Sequence, residues 1–421
     1  MHRFRGRAVV GWVIYDFANV LFSITVVSLY FPIWLTDEAG GNDADFALIS
    51  SISMAIVFVL APLVGALTDR VPRRMPWLIA LTVICCLGTI FLGSGSLATA
   101  MVLFVIANSS YLLALLVYDS LLPVVSTEND RGRISGWGFA AGFGGSLAGI
   151  VIGLTILTID DAAFPVIFAV IGALFLACSI PCFRWVREPL NPRAGPFRRA
   201  VIAETFREVR QTARDARDVR GLRRFLVGRF LYSDATNTVF IFMSIYATKE
   251  IGFSDLQTQL VLLAGIIIGP AGALWAGSAV DRSGPKRTLN VMLIIWAAAL
   301  LGVAAVPLTG APNWLFWIVA PLIGIGIGGT ATTERAYLLR LVPPDQVGRF
   351  LGLYAMVGRF AAILSPLLWV FVADWLGLGR PVAVLTLLVL VLFARHVLGG
   401  VDDARRMWPA VQAERAGVAG S

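Results

Sequence analysis

Twelve apolar runs, each about as long as a bilayer-spanning helix, dominate the sequence and leave few folds open to it. They fall at about 8–34, 47–67, 75–93, 97–123, 135–158, 163–186, 225–248, 257–280, 288–308, 313–334, 350–373 and 381–399. About 20 apolar residues cross the hydrocarbon core as a helix, and lipid admits only helices or closed barrels. Runs of this length are too long for barrel strands. The sequence therefore predicts an all-α integral membrane protein with twelve transmembrane helices.

The overall composition supports a membrane protein and argues against a nucleic-acid-binding one. Hydrophobic residues make up 58% of the 421 residues and charged residues only 14%, outside the usual balance of a soluble domain. A net charge of +8 would suggest nucleic acid in a soluble protein. Here the basic residues lie in loops between apolar runs, where the anionic membrane surface is the expected partner.

The loops differ in charge on the two sides of the predicted membrane. One set carries Arg3, Arg5, Arg7, Arg70, Arg73, Arg74, Arg131, Arg133, Arg282, Lys286 and Arg287. The opposite set carries Asp37, Glu38, Asp43, Asp45, Asp160 and Asp161. Because basic loops stay in the cytoplasm, both termini are predicted to be cytoplasmic.

The order of the runs predicts two six-helix bundles. Residues 1–187 form the first bundle, 188–223 a linker, 224–401 the second bundle and 402–421 a cytoplasmic tail. The linker is rich in arginine and has apolar residues at helical spacing, which is typical of an amphipathic helix on the inner leaflet. We interpret it as a solvated, lipid-facing segment that joins the two bundles; the alternative is a regulatory or partner-binding role.

An internal repeat places carboxylates inside apolar runs. The two copies are Tyr15, Asp16, Asn19 and Phe22 in the first run and Tyr232, Asp234, Asn237 and Phe240 in the seventh. The two aspartates are 218 residues apart (234 − 16). Since an ionisable group in the bilayer is costly, its repetition indicates a functional site.

A second repeated motif lies in two short loops, after the second and the eighth run. Its members are Gly65, Asp69, Arg70, Arg73 and Arg74 in one loop and Gly277, Asp281, Arg282, Lys286 and Arg287 in the other. A third repeat, Gly132-Arg133 and Gly348-Arg349, opens the fifth and eleventh helices. This arrangement resembles the major facilitator superfamily, whose bundles are related by an axis along the membrane normal. The resemblance implies that the motif forms a cytoplasmic gate; the alternative is that these loops only enforce topology.

Within that superfamily, several strings resemble the vacuolar amino-acid effluxer-like branch, also known as the unknown major facilitator family type one. They are Tyr15 to Asn19, Tyr118 to Pro123, Gly328-Gly329 with Arg335, Gly352 to Tyr354, and Gly358-Arg359. The resemblance implies that helices one, four, seven and ten line a central cavity. It also implies amino-acid export from the vacuole by fungal relatives. This arginine-rich, lysine-poor chain is more similar to the bacterial members, which have no settled substrate, and the resemblance therefore implies a location in the bacterial inner membrane.

The polar residues inside spans concentrate on those four helices, with one more arginine on helix eleven. The candidate residues for substrate binding or ion coupling are Tyr15, Asp16, Asn19, Asn108, Tyr111, Tyr118, Asp119, Tyr232, Asp234, Asn237, Thr332, Glu334, Arg335 and Arg359. Asp16 and Asp234 are predicted to carry the coupling proton or sodium ion; alternatively they brace their helices. Arg359 or Arg335 is predicted to bind an anionic group of the substrate; alternatively Arg359 pairs with Asp234 or Glu334.

Other function classes lack the residues that they need. The sequence has no phosphate-binding Gly-x-x-x-x-Gly-Lys motif and no evident nucleophile, base and orienting group, so neither ATP-driven transport nor enzyme activity is expected. Four cysteines without a CxxC pair and two histidines predict neither a metal site nor a cofactor.

The sequence therefore predicts a monomeric secondary transporter that moves a small polar solute, such as an amino acid or a peptide-like compound, by alternating access. Two alternatives stay open: an exporter of lipids or amphipathic drugs, and a sensor or scaffold that does not transport.

Overall fold

The computed structural model describes residues 2–160, 163–191, 219–402 and 404, and it contains twelve long helices in that part of the chain. Helix α1 consists of His2–Phe22, a π-helical stretch Ser23–Tyr30 and Phe31–Asp37. The others are α2 Asp43–Thr68, α3 Met75–Ile90, α4 Leu97–Ser120, α5 Arg131–Leu157, α6 Phe164–Trp185, α7 Leu222–Lys249, α8 Asp255–Ser283, α9 Pro285–Thr309, α10 Phe316–Leu341, α11 Val347–Val370 and α12 Arg380–Gly399. Short helical pieces adjoin them at Leu122–Val125, Asn313–Leu315, Pro344–Gln346 and Phe371–Trp375.

The predicted all-α membrane fold is confirmed, with a difference in the number of clear spans. Among the described residues, ten helical segments are long and apolar enough to cross a membrane. Helix α3 has only 16 residues, and α7 contains several charged side chains. The twelve predicted spans therefore correspond to twelve helices, of which ten meet both criteria.

Most of the predicted linker, 188–223, and most of the predicted tail, 402–421, lie outside the described residues. The amphipathic helix expected in the linker therefore stays a prediction.

The helices of the two halves pack in the same pattern. In the first half, α1 contacts α5 and α6, α4 contacts α2 and α3, and α3 contacts α6. In the second half, α7 contacts α11 and α12, α10 contacts α8 and α9, and α9 contacts α12. The same five helix pairs thus recur, as a duplicated chain requires.

The two most extensive contacts between the halves are α2 against α11 and α5 against α8. At the first, Gly65 lies so close to the backbone of Gly348 that a Cβ atom on either residue would clash with the other's carbonyl oxygen. At the second, Gly132 and Gly277 meet in the same way. Only glycine permits helix backbones to approach so closely. The repeated glycines therefore mark where the halves touch.

Candidate functional site

Two matching hydrogen-bonded contacts close one end of the helix assembly, where both copies of the repeated loop motif lie. This end is called the arginine-rich end below. Asp69 accepts hydrogen bonds from the backbone N–H groups of Gly348 at 2.8 Å and Arg349 at 2.7 Å, at the start of α11. Asp281 accepts from Gly132 at 2.8 Å and from Arg133 at 2.9 Å, at the start of α5. Each carboxylate thus caps a helix N-terminus in the opposite half, where the free N–H groups favour a negative charge.

The remaining members of the loop motif do not bond to the opposite half in this way. Arg74 lies 3.0 Å from Asp69 and donates to the Ser120 carbonyl at 2.9 Å. Burial raises the pKa of the Asp69 carboxyl above its ordinary value, while Arg74 and the two N–H groups act in the opposite direction. Lys286 donates to the Gly399 carbonyl at 2.8 Å. By contrast, the side chains of Arg73, Arg282 and Arg287 are exposed, and Arg70 is half-buried.

A cavity of about 390 Å³ lies between the halves, bounded by α1, α4, α5, α7, α10 and α11. Nine of the predicted site residues line it: Asp16, Asn19, Tyr111, Asp119, Tyr232, Asn237, Glu334, Arg335 and Arg359. They come from helices one, four, seven, ten and eleven, which are the helices singled out by their polar residues in the sequence.

Arg335 joins the two halves through two carboxylates. Its Nη1 lies 3.2 Å from an Asp16 oxygen and its Nε lies 2.9 Å from an Asp119 oxygen. All three side chains are largely buried, with 5%, 3% and 13% of the Arg335, Asp16 and Asp119 side chains exposed. This group, called the Arg335 cluster, connects α10 to α1 and α4 and carries one more negative than positive charge.

Aromatic rings surround the guanidinium of the Arg335 cluster. Its Cζ lies 4.4 Å from the ring centre of Phe139, 5.4 Å from that of Trp12 and 5.6 Å from that of Tyr118. Rings at these distances attract a cation and keep water away from it. The position of Arg335 is therefore fixed by both charge and packing.

A second charged group lies within the second half of the chain. Arg229 Nε lies 3.4 Å from Glu334, and the hydroxyls of Tyr232 and Tyr354 donate to the same carboxylate at 2.7 and 2.6 Å. Arg229 also donates to the Tyr354 carbonyl at 3.2 Å and stacks on the Tyr354 ring, with its Cζ 3.5 Å from the ring centre. This group, called the Arg229 cluster, is electrically neutral and rigidly held.

Arg359 also lines the cavity, but no carboxylate pairs with it among the described residues. The hydrogen bond recorded for its side chain is with the Met54 sulfur, at 3.8 Å. Glu334 is engaged by Arg229, and Asp234 lies elsewhere, so the alternative of an ion pair with Asp234 or Glu334 is wrong. An arginine within the bilayer that lacks a partner is costly and is a candidate for binding an anion.

Unsatisfied polar atoms also face the cavity. Both side-chain amide atoms of Asn19 are buried without a hydrogen-bond partner in the described structure. A buried amide without partners is unfavourable, which indicates a position that a polar ligand or water would occupy.

Five predicted site residues are not among those that line the cavity. Tyr15 bonds to Thr82 at 2.6 Å, and Tyr118 donates to the Trp12 carbonyl at 2.9 Å. Asn108 and Thr332 are buried within the helix packing. Asp234 lies in a separate groove. Tyr15 and Tyr118 stack with ring centres 4.8 Å apart and support the cluster from behind.

The expectation that Asp16 and Asp234 face one cavity is therefore wrong. Tyr232, Ser233, Thr236 and Asn237 face it from α7. Each residue advances a helix by about 100°, so Asp234 lies about 160° around α7 from both Tyr232 and Thr236. The sequence repeat does not show this rotation.

Two residues that matter for the site were not predicted, Arg229 and Tyr354. Arg229 is a charged residue inside an apolar run, the same signal that identified Arg359. Tyr354 has no such signal, because a tyrosine in an apolar run is usually a packing residue.

No group of His, Cys, Asp or Glu residues suited to hold a metal ion occurs in the described ranges. The three carboxylates of the cavity instead form ion pairs: Asp16 and Asp119 with Arg335, and Glu334 with Arg229.

Comparisons with known proteins agree with this architecture. The family described as vacuole effluxer Atg22 like matches residues 41–410. An uncharacterised transporter of the major facilitator type from Bacillus subtilis, YxiO, is 25% identical over 93% of this chain and 94% of its own length. Autophagy-related protein 22 of Yarrowia lipolytica is 24% identical over 60% of this chain and 48% of its own, so the chain spans about half of that relative.

Solved structures share the fold at low sequence identity. The crystal structure of the human organic anion transporter MFSD10 superimposes with a TM-score of 0.73 at 16% identity, over 94% of this chain and 99% of that one. The relatives are transporters and not enzymes, as the sequence predicted. The family match covers most of the chain, and the helix pattern, the repeated loop motif and the central cavity are consistent with it. The chain therefore belongs to the vacuole effluxer Atg22-like family, within the major facilitator type of multi-pass membrane transporters.

Proposed function

We propose that this transporter moves a small polar solute with an anionic group, such as an amino acid, by alternating access, and that proton movement through the Arg335 cluster drives it. The observation that carries the proposal is that Arg359, in the central cavity, pairs with no carboxylate of the described residues.

The charges of the cavity support an anionic ligand group at Arg359. Arg335 has two carboxylates within 3.2 Å, and Arg229 has Glu334 within 3.4 Å. Both guanidiniums are therefore already neutralised, whereas that of Arg359 is not. Since a guanidinium binds a carboxylate through two parallel hydrogen bonds, a substrate carboxylate would supply the missing partner.

The size and the polar lining of the cavity support a small ligand. Its volume of about 390 Å³ lies near the lower end of the range for ligand sites. Asn19 offers a free amide donor and acceptor. These groups suit a solute with several polar atoms better than a lipid, so the alternative of lipid export through this cavity is disfavoured.

The surplus negative charge of the Arg335 cluster supports a coupling role. One proton on Asp16 or Asp119 would balance the cluster and weaken the attraction that ties α10 to α1 and α4. Because this tie crosses between the halves, its protonation state would bias which end opens. Asp119 thus replaces Asp234 as the second coupling carboxylate.

By the positive-inside rule, arginine-rich loops lie on the cytoplasmic side of the membrane. The closed, arginine-rich end would therefore face the cytoplasm. The structure would then correspond to an outward-facing state of a protein in the bacterial inner membrane, with two six-helix bundles over 1–187 and 224–401.

Substrate binding at Arg359 can be tested with purified protein. A ligand that binds the folded state raises its melting temperature, so a panel of amino acids and small carboxylates is screened by thermal shift. We expect Arg359→Gln to abolish the shift for a hit, and the exposed Arg395→Gln on α12 to leave it unchanged. A hit that shifts Arg359→Gln as much as the wild type would refute the role of Arg359.

A further inference from the structure

A second cavity of about 470 Å³ lies outside the central one, as a groove between α7, α11 and α12. It is lined by nine apolar residues and one carboxylate: Phe230, Leu231, Asp234, Leu364, Leu367, Leu368, Val370, Phe371, Trp375 and Leu390. None of these residues lines the central cavity. The groove is therefore a separate feature that transport through the centre does not explain.

Asp234 is the one polar side chain that lines this groove, and it is 4% exposed. Its Oδ2 is buried and has no hydrogen-bond partner in the part of the chain that the structure describes. In the first half, by contrast, Asp16 has Arg335 at 3.2 Å. A carboxylate in the membrane that lacks a cation is costly, and such groups generally serve a function.

The outer wall of the groove is accessible from the lipid-facing surface. Leu367, Phe371 and Trp375 are 59%, 45% and 77% exposed. Two of these are aromatic, and Phe230 adds a third ring to the lining. An apolar molecule dissolved in the bilayer could therefore enter the groove laterally without passing through water.

We propose that this groove binds a lipophilic organic cation, with its positive charge paired to Asp234 and its apolar body against the leucine and aromatic side chains. Charge complementarity selects this ligand class, because the groove offers one carboxylate and no basic side chain among its lining residues. The rings of Phe230, Phe371 and Trp375 add cation–π attraction. A neutral lipid would leave the carboxylate unpaired.

Binding of radiolabelled tetraphenylphosphonium to the full-length protein in lipid nanodiscs tests the proposal. We expect saturable binding that Asp234→Asn weakens at least tenfold. Phe371→Ala should weaken it several-fold by removing one ring while keeping the carboxylate. Asp374→Asn removes the same charge from an exposed neighbour outside the groove and should leave binding unchanged.

Three results would overturn the proposal: no saturable binding to the wild type, equal binding to Asp234→Asn, or equal losses for Asp234→Asn and Asp374→Asn. If Asp234→Asn does not give monodisperse protein, binding to Phe371→Ala tests the proposal instead. Unchanged binding by that variant also contradicts the proposed site. None of these outcomes depends on Arg359, so they are independent of the central-cavity proposal.

Discussion

Replacing Asp69 or Asp281 by asparagine should open the arginine-rich end while leaving the central cavity intact. Each carboxylate receives two backbone N–H bonds from the opposite half, at 2.7 to 2.9 Å. Asparagine keeps one acceptor oxygen but turns an N–H donor toward the second backbone N–H and removes the charge. The contact therefore loses one charged hydrogen bond and its attraction to the helix N-terminus.

The size of the effect follows from these losses. A hydrogen bond to a charged group contributes about 1.5–3 kcal/mol, and a charge at a helix N-terminus about 0.3–1 kcal/mol. Allowing for the bond that asparagine keeps, each substitution should cost the closed state about 2 kcal/mol, which is roughly a 30-fold change in the ratio of closed to open protein. The two contacts share no residue, so the double variant should shift the ratio by the product of the two.

Distances between spin labels at Arg73 and Ser283 report this equilibrium, since both residues are exposed at the arginine-rich end and lie in different halves. The native cysteines are replaced first. We expect a longer-distance population to grow in each single variant and to dominate in the double variant. Asp374→Asn, near the end of α11 that is remote from this contact, serves as the control.

Substrate affinity shows whether Asp69 and Asp281 hold the arginine-rich end closed or bind the substrate. We expect the substrate affinity, measured on protein whose arginine-rich end is held closed, to be the same in these variants as in the wild type. The reason is that neither aspartate lines the cavity. Distance distributions that match the wild type in all three variants would refute the argument that these contacts hold the end closed.

Further tests address the cluster, the helix contact and the topology. Arg335→Ala should lower stability by about 3–5 kcal/mol, measured by thermal unfolding, because it leaves two buried carboxylates without their cation; a loss below 1 kcal/mol would contradict this. Gly65→Val should lengthen the same spin-label distance, because a side chain there collides with the α11 backbone, and an unchanged distance argues against it. Asp16→Asn should abolish proton-driven accumulation in proteoliposomes while sparing counterflow exchange, and accumulation that survives would exclude its coupling role. Reporter fusions at Gly41 and Arg210 should report outside and inside respectively, and an external Arg210 signal would reverse the topology.

The character of the fold could be predicted from the sequence because lipid imposes so strong a constraint. Apolar runs of about 20 residues can be stable in a bilayer only as helices, whose backbone bonds are internal. The repeated Gly65 and Gly277 motifs located both loops that join the halves at the arginine-rich end, since a glycine and an aspartate at a fixed spacing make the same kind of contact in both copies.

The residues that form the site were predicted better than the contacts between them. Asp16, Asp119 and Arg335 were identified because each is an ionisable group inside an apolar run. That Arg335 joins the other two, and that Arg229 takes Glu334, could not be derived, because the partners are as much as 319 residues apart in sequence.

The sequence alone thus determined a helical membrane protein with duplicated halves, two copies of one loop motif and a set of polar residues that are costly to place in a bilayer. Only the tertiary structure decided which of these face each other. The rotation of α7 turns Asp234 away from the central cavity into a lipid-facing groove, and helix packing places no carboxylate of the described residues against Arg359. The physical reason is that polarity within a run is a local property, whereas the direction and partner of a side chain depend on how each helix is rotated against its neighbours.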